Sequence, residues 1–198
     1  MLHKKDNFAH VVMEKTWGIV LGSVRLPGSK AVVRIFTEAR GTVPFIVHSA
    51  RGKSASVGNI ACLPLQVLEI DYEHRDRREL QTLHEVRLMG QYTTLPYHPL
   101  KQTMALFLAE FLTHALKYEG SNPPLLQYIV DALQRIDRTE THFTAMHTDM
   151  LRGIAALLGY GSPQLQDMTL QQLLDYYREN VPEFPVLNST GVLHEVLS

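Results

Sequence analysis

Arg51, Gly52 and Lys53 directly follow the apolar segment 43–48 and have no acidic residue beside them. A guanidinium and an ammonium this close together suit the binding of phosphate, because both are charged hydrogen-bond donors at neutral pH. A nucleotide-hydrolysing phosphate loop would need another glycine five positions before Gly52, and that position is Val47. The residue types therefore argue against nucleotide hydrolysis. They leave two interpretations, a phosphate-binding surface or an ordinary solvated strand end.

The sequence gives little support for a metal-binding site or for a catalytic nucleophile. His142 and His147 stand five positions apart and diverge on a helix, whereas the zinc-binding pattern HExxH needs a spacing of four and a glutamate. The single cysteine, Cys62, excludes an internal disulfide and a cysteine-rich zinc site. The nucleophile elbow G-x-S-x-G does not occur. We therefore expect no metal, no cofactor and no catalytic residue.

The charged residues are unevenly distributed along a chain of 198 residues whose net charge is −1. Residues 15–60 contain 7 Lys/Arg and one acidic residue, whereas residues 81–198 contain 7 Lys/Arg and 12 Asp/Glu. Such asymmetry suggests two modules with different partners, although a solvated surface can also produce it. No apolar run is long enough to span a bilayer, and the first residues lack the features of a secretory signal. We expect a cytoplasmic protein that does not bind membranes.

The first half of the chain alternates in the manner of short β-strands separated by turn residues. The predicted strands are 16–25, 30–38, 42–49, 63–73 and 79–88. Pro44 in the third strand suggests an edge position or a bulge, because proline cannot donate to a ladder. Five short strands suit a sandwich or a small barrel, and closure into a barrel removes exposed edges.

From about residue 99 the apolar residues recur at helical spacing. Asn122, which is followed by proline, predicts the N-cap of a second helix. A third helix is expected from about Thr139, and Thr169 with Gln172 predicts a capping box at the start of a fourth. The sequence thus predicts an α+β chain with a β module, a short hinge near 88–98 and a helical bundle.

The second predicted strand carries cations that could join the Arg-Gly-Lys stretch on one surface. Alternation places Arg34 on the same side as Phe36, and Lys30 opens the strand. In an OB-type barrel, nucleic acid crosses strands two and three, where cations follow phosphates and aromatic rings stack on bases. The residues that would gather there if the strands form a meander are Arg25, Lys30, Arg34, Arg51 and Lys53. The alternative is that Phe36 belongs to the core and Arg34 is an ordinary solvated charge.

Several segments, in the order in which they occur, resemble the sequences of one known family. In the first half they are WGIVLGSV, VVRIFTEARG, FIVHSARGKS, LPLQVLEIDY and RRELQTLHEVR. In the second half they are ALFLAEFL, NPPLLQYIVDALQRID and LLDYYRENVPEFPVLNSTGVL. Together they resemble the bacterial DNA-repair family RecO, and the second set is similar to RecO of the Bacteroides group. The resemblance implies a five-stranded OB-fold β-barrel in residues 1–87, followed by a C-terminal helical domain in residues 88–198.

The resemblance also implies a function and partners. RecO-like proteins bind single- and double-stranded DNA, anneal complementary strands, and join RecR to help RecA displace single-strand-binding protein (SSB). The resemblance implies that Lys30, Arg34, Arg51 and Lys53 contact DNA, and Arg78 is a further candidate. It also implies that the helical domain receives the acidic, apolar C-terminal tail of SSB.

The chain departs from the family pattern in two respects. Many RecO proteins carry four cysteines for zinc in the C-terminal domain, and this chain has none there, so no metal is expected. After LLGYGSPQLQD the chain passes almost directly to MTLQQLLDYY, where the family has a longer insert. The second departure allows a shortened paralogue with only part of the family's activity.

Three hypotheses remain from the sequence. The first is a non-enzymatic DNA-binding and annealing factor, in which cations on two strands screen the repulsion between phosphates. The second is a scaffold that binds RecR or the SSB tail and has little DNA binding of its own. The third is an OB-fold that prefers RNA, because the fold alone does not decide the ligand.

Overall fold

The structure, a computed structural model, describes residues 11–28, 30–48 and 63–197. Within these residues five β-strands come first and five α-helices follow, which confirms the predicted α+β order. The strands are β1 (Val11–Leu26), β2 (Lys30–Thr37), β3 (Gly41–His48), β4 (Val67–Arg75) and β5 (Gln81–Leu88). The helices are α1 (Pro99–Ala115), α2 (Pro123–Arg138), α3 (Met146–Leu157), α4 (Leu170–Asn180) and α5 (Ser189–Leu197), with a short 3-10 helix at Pro163–Asp167.

The five strands close into a barrel in the order β1-β2-β3-β5-β4. All neighbouring pairs are antiparallel except β3 and β5, which run parallel. This is the Greek-key arrangement of an OB-fold, so the barrel replaces the alternative of a sandwich. Only β1, β2 and β3 form a meander. Pro44 is the Cα partner of Arg34 on β2 and lies one residue before Phe45 and Ile46, the residues of β3 that pair with β5. Since the barrel is closed, β3 is not the edge strand that the sequence suggests, and its proline is tolerated just outside the ladder with β5.

Two of the predicted helix starts are confirmed and one is wrong. The side chain of Asn122 accepts a hydrogen bond from the N–H of Leu125 at 3.2 Å, and Thr169 and Gln172 form the predicted capping box. The start of the third helix near Thr139 was wrong, because α3 begins at Met146. Thr139 instead ends α2, where its N–H donates to the Arg135 carbonyl at 3.0 Å. The chain then passes through His142, whose φ of 58° is incompatible with a right-handed helix.

The barrel has apolar residues on both of its faces, and they belong to two different cores. The inward residues of the strands, among them Val33, Phe45 and Ile70, fill the barrel. Outward residues of β1 and β2, including Ile19 and Phe36, are completely buried in a second core that they share with the helices. The strands and helices are therefore packed together. The division into domains 1–87 and 88–198 stays a prediction.

The end of α1 is fixed against the turn between β2 and β3. The hydroxyl of Thr42 donates to the Leu116 carbonyl at 2.6 Å, and the N–H of Thr42 donates to the Glu119 carbonyl at 3.0 Å. Gly41 makes this approach possible, because its φ is +73° and an added Cβ would lie 2.2 Å from the Glu119 oxygen. One turn earlier, the Thr113 hydroxyl donates to the Leu21 carbonyl of β1 at 3.0 Å.

The segment between β5 and α1 is held by Asp137, near the end of α2. Its carboxylate accepts the N–H groups of Thr93, Thr94 and Leu95 at 2.7–3.0 Å. The buried ammonium of Lys101 donates to the Asp137 carbonyl at 2.8 Å. Burial acts to raise the pKa of the Asp137 carboxyl, but the hydrogen bonds to the carboxylate outweigh burial and lower this pKa to about 2. Among the described residues no helix has the length and apolarity needed to cross a membrane.

Candidate nucleic-acid interface

Lys30 and Arg34 lie on the outer side of β2, the side that faces away from the barrel interior. Both are exposed, and their neighbours along the strand, Ala31 and Val33, are buried inside the barrel. Arg34 follows Lys30 by four residues, which places their Cα atoms about 13 Å apart along an extended strand. The register aligns them in rows of Cα partners, which are Leu26–Lys30–His48, Val24–Val32–Ile46 and Gly22–Arg34–Pro44. We call this outer side of β2, with its two cations, the basic face.

Arg25 does not belong to the basic face, which corrects the sequence-based grouping. Its Cα partner on β2 is Ala31, and Ala31 is buried inside the barrel. Cα partners in an antiparallel pair point to the same side of a sheet, so Arg25 projects from the opposite side to Lys30. The cause is a β-bulge between Val20 and Gly22, where β1 has one residue more than β2. Beyond the bulge, the residues of β1 therefore point to the opposite sides from those that simple alternation predicts.

Three further predicted contacts have different outcomes. Arg51 and Lys53 lie outside the described residues and stay predictions. Arg78 lies exposed in the turn between β4 and β5, where its N–H donates to the Arg75 carbonyl at 3.0 Å. The carbonyl of Arg78 accepts the side-chain amide of Gln81 at 2.7 Å, and Gln81 is the Cα partner of Phe45 on β3. The turn with Arg78 therefore leads into the strand beside β3.

The cations of the basic face differ from most of those elsewhere on the barrel in their surroundings. Lys15, Arg75 and Arg87 lie beside carboxylates, as in Lys15–Glu69 at 3.0 Å and Arg87–Glu69 at 3.5 Å. Arg25 on β1 is the exception, since it has no such pair among the described residues. Within the described part of the chain, Lys30, Arg34 and Arg78 likewise have no carboxylate at ion-pair distance. A cation without an internal counterion is free to neutralise an external anion.

Among the side chains of β2 and β3 that the structure describes, none supplies the exposed aromatic ring that was expected on this surface. Phe36 points outward but is fully buried under the helices, and Phe45 is fully buried inside the barrel. The exposed apolar residues beside the basic face are aliphatic, namely Val24 (56% exposed) and Leu26 (39% exposed). The proposal that Phe36 stacks on bases is therefore wrong, and the alternative that it belongs to the core is correct. The basic face is suited to phosphates more than to bases.

His114 on α1 lies close enough to Arg34 of the basic face for the two charges to interact, a relationship that sequence analysis missed. Burial lowers the pKa of the half-buried His114; the charge of Glu110 acts in the opposite direction, while Lys117 and Arg34 lower the pKa further. The influence of Arg34 on His114 brings β2 and the end of α1 into one electrostatic neighbourhood. No local pattern could have predicted it, because eighty residues of chain separate the two.

The described residues contain no candidate metal site. They contain no group of three His, Cys, Asp or Glu side chains arranged to hold a metal ion. Glu110, an acidic residue on α1, uses its carboxylate to accept the N–H groups of Asn188 and Ser189 at 2.8 and 2.9 Å. These bonds tie the start of α5 to α1 and give Glu110 a structural role. Cys62 lies outside the described residues.

Comparison with known proteins agrees with this geometry. A family model described as "Recombination protein O N terminal" matches residues 12–92, which include all five strands. The chain is 32% identical to the DNA repair protein RecO of Bacteroides fragilis, over 93% of this chain and 99% of that protein. It is 27% identical to the RecO protein of Phocaeicola vulgatus (94% and 100% covered) and 27% identical to that of Flavobacterium johnsoniae (91% and 74% covered).

The match to the Bacteroides fragilis protein extends over 240 aligned positions, more than the 198 residues of this chain, so that relative has segments without a counterpart here. The position of those segments stays a prediction, which the sequence places in the second half. Identity at this level over nearly the whole of both proteins means that the chain belongs to the RecO family of DNA repair proteins.

Proposed function

We propose that this protein is a non-catalytic DNA-binding and strand-annealing factor of recombinational repair, a RecFOR-type mediator that helps RecA load on SSB-coated single-stranded DNA. The observation that carries the proposal is the basic face, where Lys30 and Arg34 are exposed without a carboxylate partner among the described residues. Its relatives are named DNA repair proteins, which makes DNA the first anion to consider.

The chemistry of the basic face suits annealing better than storage of a single strand. Two complementary strands repel each other through their phosphates, and cations that neutralise this charge lower the barrier to their approach. Proteins that hold single strands tightly stack the bases on exposed aromatic rings. Phe36 and Phe45 are buried, so the described part of β2 and β3 would leave the bases free to pair.

An annealing assay tests the proposal. Two complementary oligonucleotides, one with a fluorophore and one with a quencher, are mixed with and without the protein at low salt. We expect the protein to accelerate annealing, the variant Lys30→Ala/Arg34→Ala to lose most of the acceleration, and Arg87→Ala to retain it, because Arg87 already lies beside Glu69 and Glu85. Equal acceleration by all three proteins would contradict the proposal. Competition by an RNA strand of equal length tests the preference for RNA.

A second candidate function is a protein-interaction scaffold for RecR or for the SSB tail. It is favoured by an apolar cavity of about 320 Å³ between α1 and the segments that precede β4 and α1. The cavity is lined by Leu65, Tyr92, Leu95 and Leu106, and the Leu106 side chain is 66% exposed. Titration with a labelled acidic, apolar peptide tests it. Tight peptide binding in the absence of DNA binding would favour the scaffold.

A further inference from the structure

The chain after α1 carries an exposed aromatic ring in the segment that is bonded to the β2–β3 turn. Tyr118 is 62% exposed, and the ammonium of Lys117 lies 4.7 Å from the centre of its ring. Both residues stand between Leu116 and Glu119, whose carbonyls accept hydrogen bonds from Thr42 at the turn between β2 and β3. The ring is therefore anchored beside the two strands that carry DNA in an OB-fold.

The basic face and this ring are connected through α1. Arg34 is the Cα partner of Gly22, and a Cβ at Gly22 would lie 3.5 Å from the Thr113 hydroxyl of α1. His114 follows, under the influence of both Arg34 and Lys117. Thr113 and His114, at the end of α1, thus lie between Arg34 of β2 and the Lys117–Tyr118 pair.

Glu183, in the loop after α4, binds the polar atoms of both Lys117 and Tyr118. Its carboxylate accepts the Lys117 ammonium at 2.6 Å and the Tyr118 hydroxyl at 2.5 Å. Its φ is +57°, a conformation that few residues other than glycine adopt. The Lys117 and Glu183 side chains are 39% and 64% exposed, and an ion pair this exposed is weak. A phosphate presents the same kind of oxygen to the Lys117 ammonium and can replace the carboxylate there.

We propose that Lys117 and Tyr118 form a second contact for single-stranded nucleic acid, in which Lys117 binds a phosphate, the Tyr118 ring stacks on a base, and Glu183 competes as an internal anion. This inference rests on the proposed function, because it extends a strand bound at Lys30 and Arg34. The site adds an exposed aromatic face, which the described side chains of β2 and β3 do not provide. Stacking requires an unpaired base, so the contact favours single strands over duplexes.

Equilibrium binding of labelled oligothymidylate and of a labelled duplex tests the proposal. Tyr118→Ala should weaken single-strand binding roughly tenfold, the size of one lost stacking contact, and leave duplex binding unchanged. Tyr118→Phe should retain the single-strand affinity, because the ring remains. Glu183→Gln should raise the single-strand affinity about two- to fivefold, because the competing charge is removed.

The variant Lys30→Ala/Arg34→Ala, measured in parallel, separates the two proposals. If it weakens binding while Tyr118→Ala and Glu183→Gln have no effect, the second contact is refuted and the basic face stands. If the unmodified protein does not bind single strands at low salt, both are refuted. Equal losses of single-strand and duplex binding in Tyr118→Ala would also contradict a stacking role. Thermal melting of each variant checks that the fold is retained.

Discussion

Phe36 and Arg34 project from the same side of β2, two residues apart, yet Phe36 is fully buried under the helices while Arg34 is exposed. The boundary between covered and uncovered barrel therefore falls between these two residues. The helices close one end of the outer side of β2 and leave the other end, with Lys30 and Arg34, open to a ligand. The same packing that stabilises the chain thus defines the extent of the basic face.

Replacing Phe36 with alanine tests whether the barrel and helices share one core. Phe36→Ala should lower the free energy of unfolding by about 3–5 kcal/mol, the usual cost of emptying a buried aromatic site. Val24→Ala is the matched control, because Val24 is 56% exposed and its truncation should cost no more than about 0.5 kcal/mol. Urea unfolding measures both. A cost for Phe36→Ala near that of Val24→Ala would mean that the helices do not pack on β2.

Two glycines with similar backbone angles separate backbone strain from steric contact. Gly28 and Gly41 have φ of +77° and +73°, so alanine at either position strains the backbone by about 1–2 kcal/mol. Only Gly41 is also in close contact, since an added Cβ would lie 2.2 Å from the Glu119 carbonyl oxygen. Gly41→Ala should therefore destabilise the protein by about 1–3 kcal/mol more than Gly28→Ala. Equal losses in thermal or urea unfolding would argue against the close approach of α1 to the β2–β3 turn.

Asp137 should make the stability of the protein depend on pH in the acid range. The pKa of its carboxyl is about 2 in the folded chain and 3.8 in the reference state, so the unfolded chain binds the proton more readily. The resulting stabilisation is present above about pH 4 and is lost as the pH falls towards 2, with a total of about 2 kcal/mol. Asp137→Asn should be less stable at neutral pH and should lose less stability on acidification.

The control for this pH dependence is Asp131→Asn, which changes an exposed carboxylate on the same helix. Unfolding curves in urea at several pH values between 3 and 7 would be compared among the three proteins. If Asp137→Asn retained the full acid dependence of the parent protein, the hydrogen bonds from the segment 93–95 could not be its source.

The sequence predicted the strands and helices well, but it predicted the tertiary contacts between them less well. Strand alternation located all five strands, although β1 begins at Val11, five residues before its predicted start, and β4 begins at Val67, four residues after its predicted start. The caps at Asn122 and Thr169 were confirmed, because capping depends on neighbours in the chain. The start of α3 was missed because the left-handed conformation of His142 leaves no mark in the apolar spacing.

The candidate site shows the same limit. Alternation assigned Phe36 and Arg34 to one side of β2 correctly. It could not tell that the helices, which begin more than sixty residues later, cover only one of them. The proximity of Tyr118 to the β2–β3 turn was missed for the same reason, since it depends on tertiary hydrogen bonds from Thr42.

The central claim, that Lys30 and Arg34 bind phosphates, is tested most directly by the salt dependence of single-strand binding. Fluorescence anisotropy of a labelled DNA oligomer would be measured at several salt concentrations for the parent protein, for Lys30→Ala/Arg34→Ala and for the control Lys15→Ala/Arg87→Ala. Each phosphate contact contributes about −0.7 to the slope of log affinity against log salt, so loss of two contacts should make the slope shallower by about 1.4. The control pair, whose cations lie beside Glu69, should retain the parent slope. An unchanged slope in Lys30→Ala/Arg34→Ala, or no binding by the parent protein at low salt, would contradict the claim.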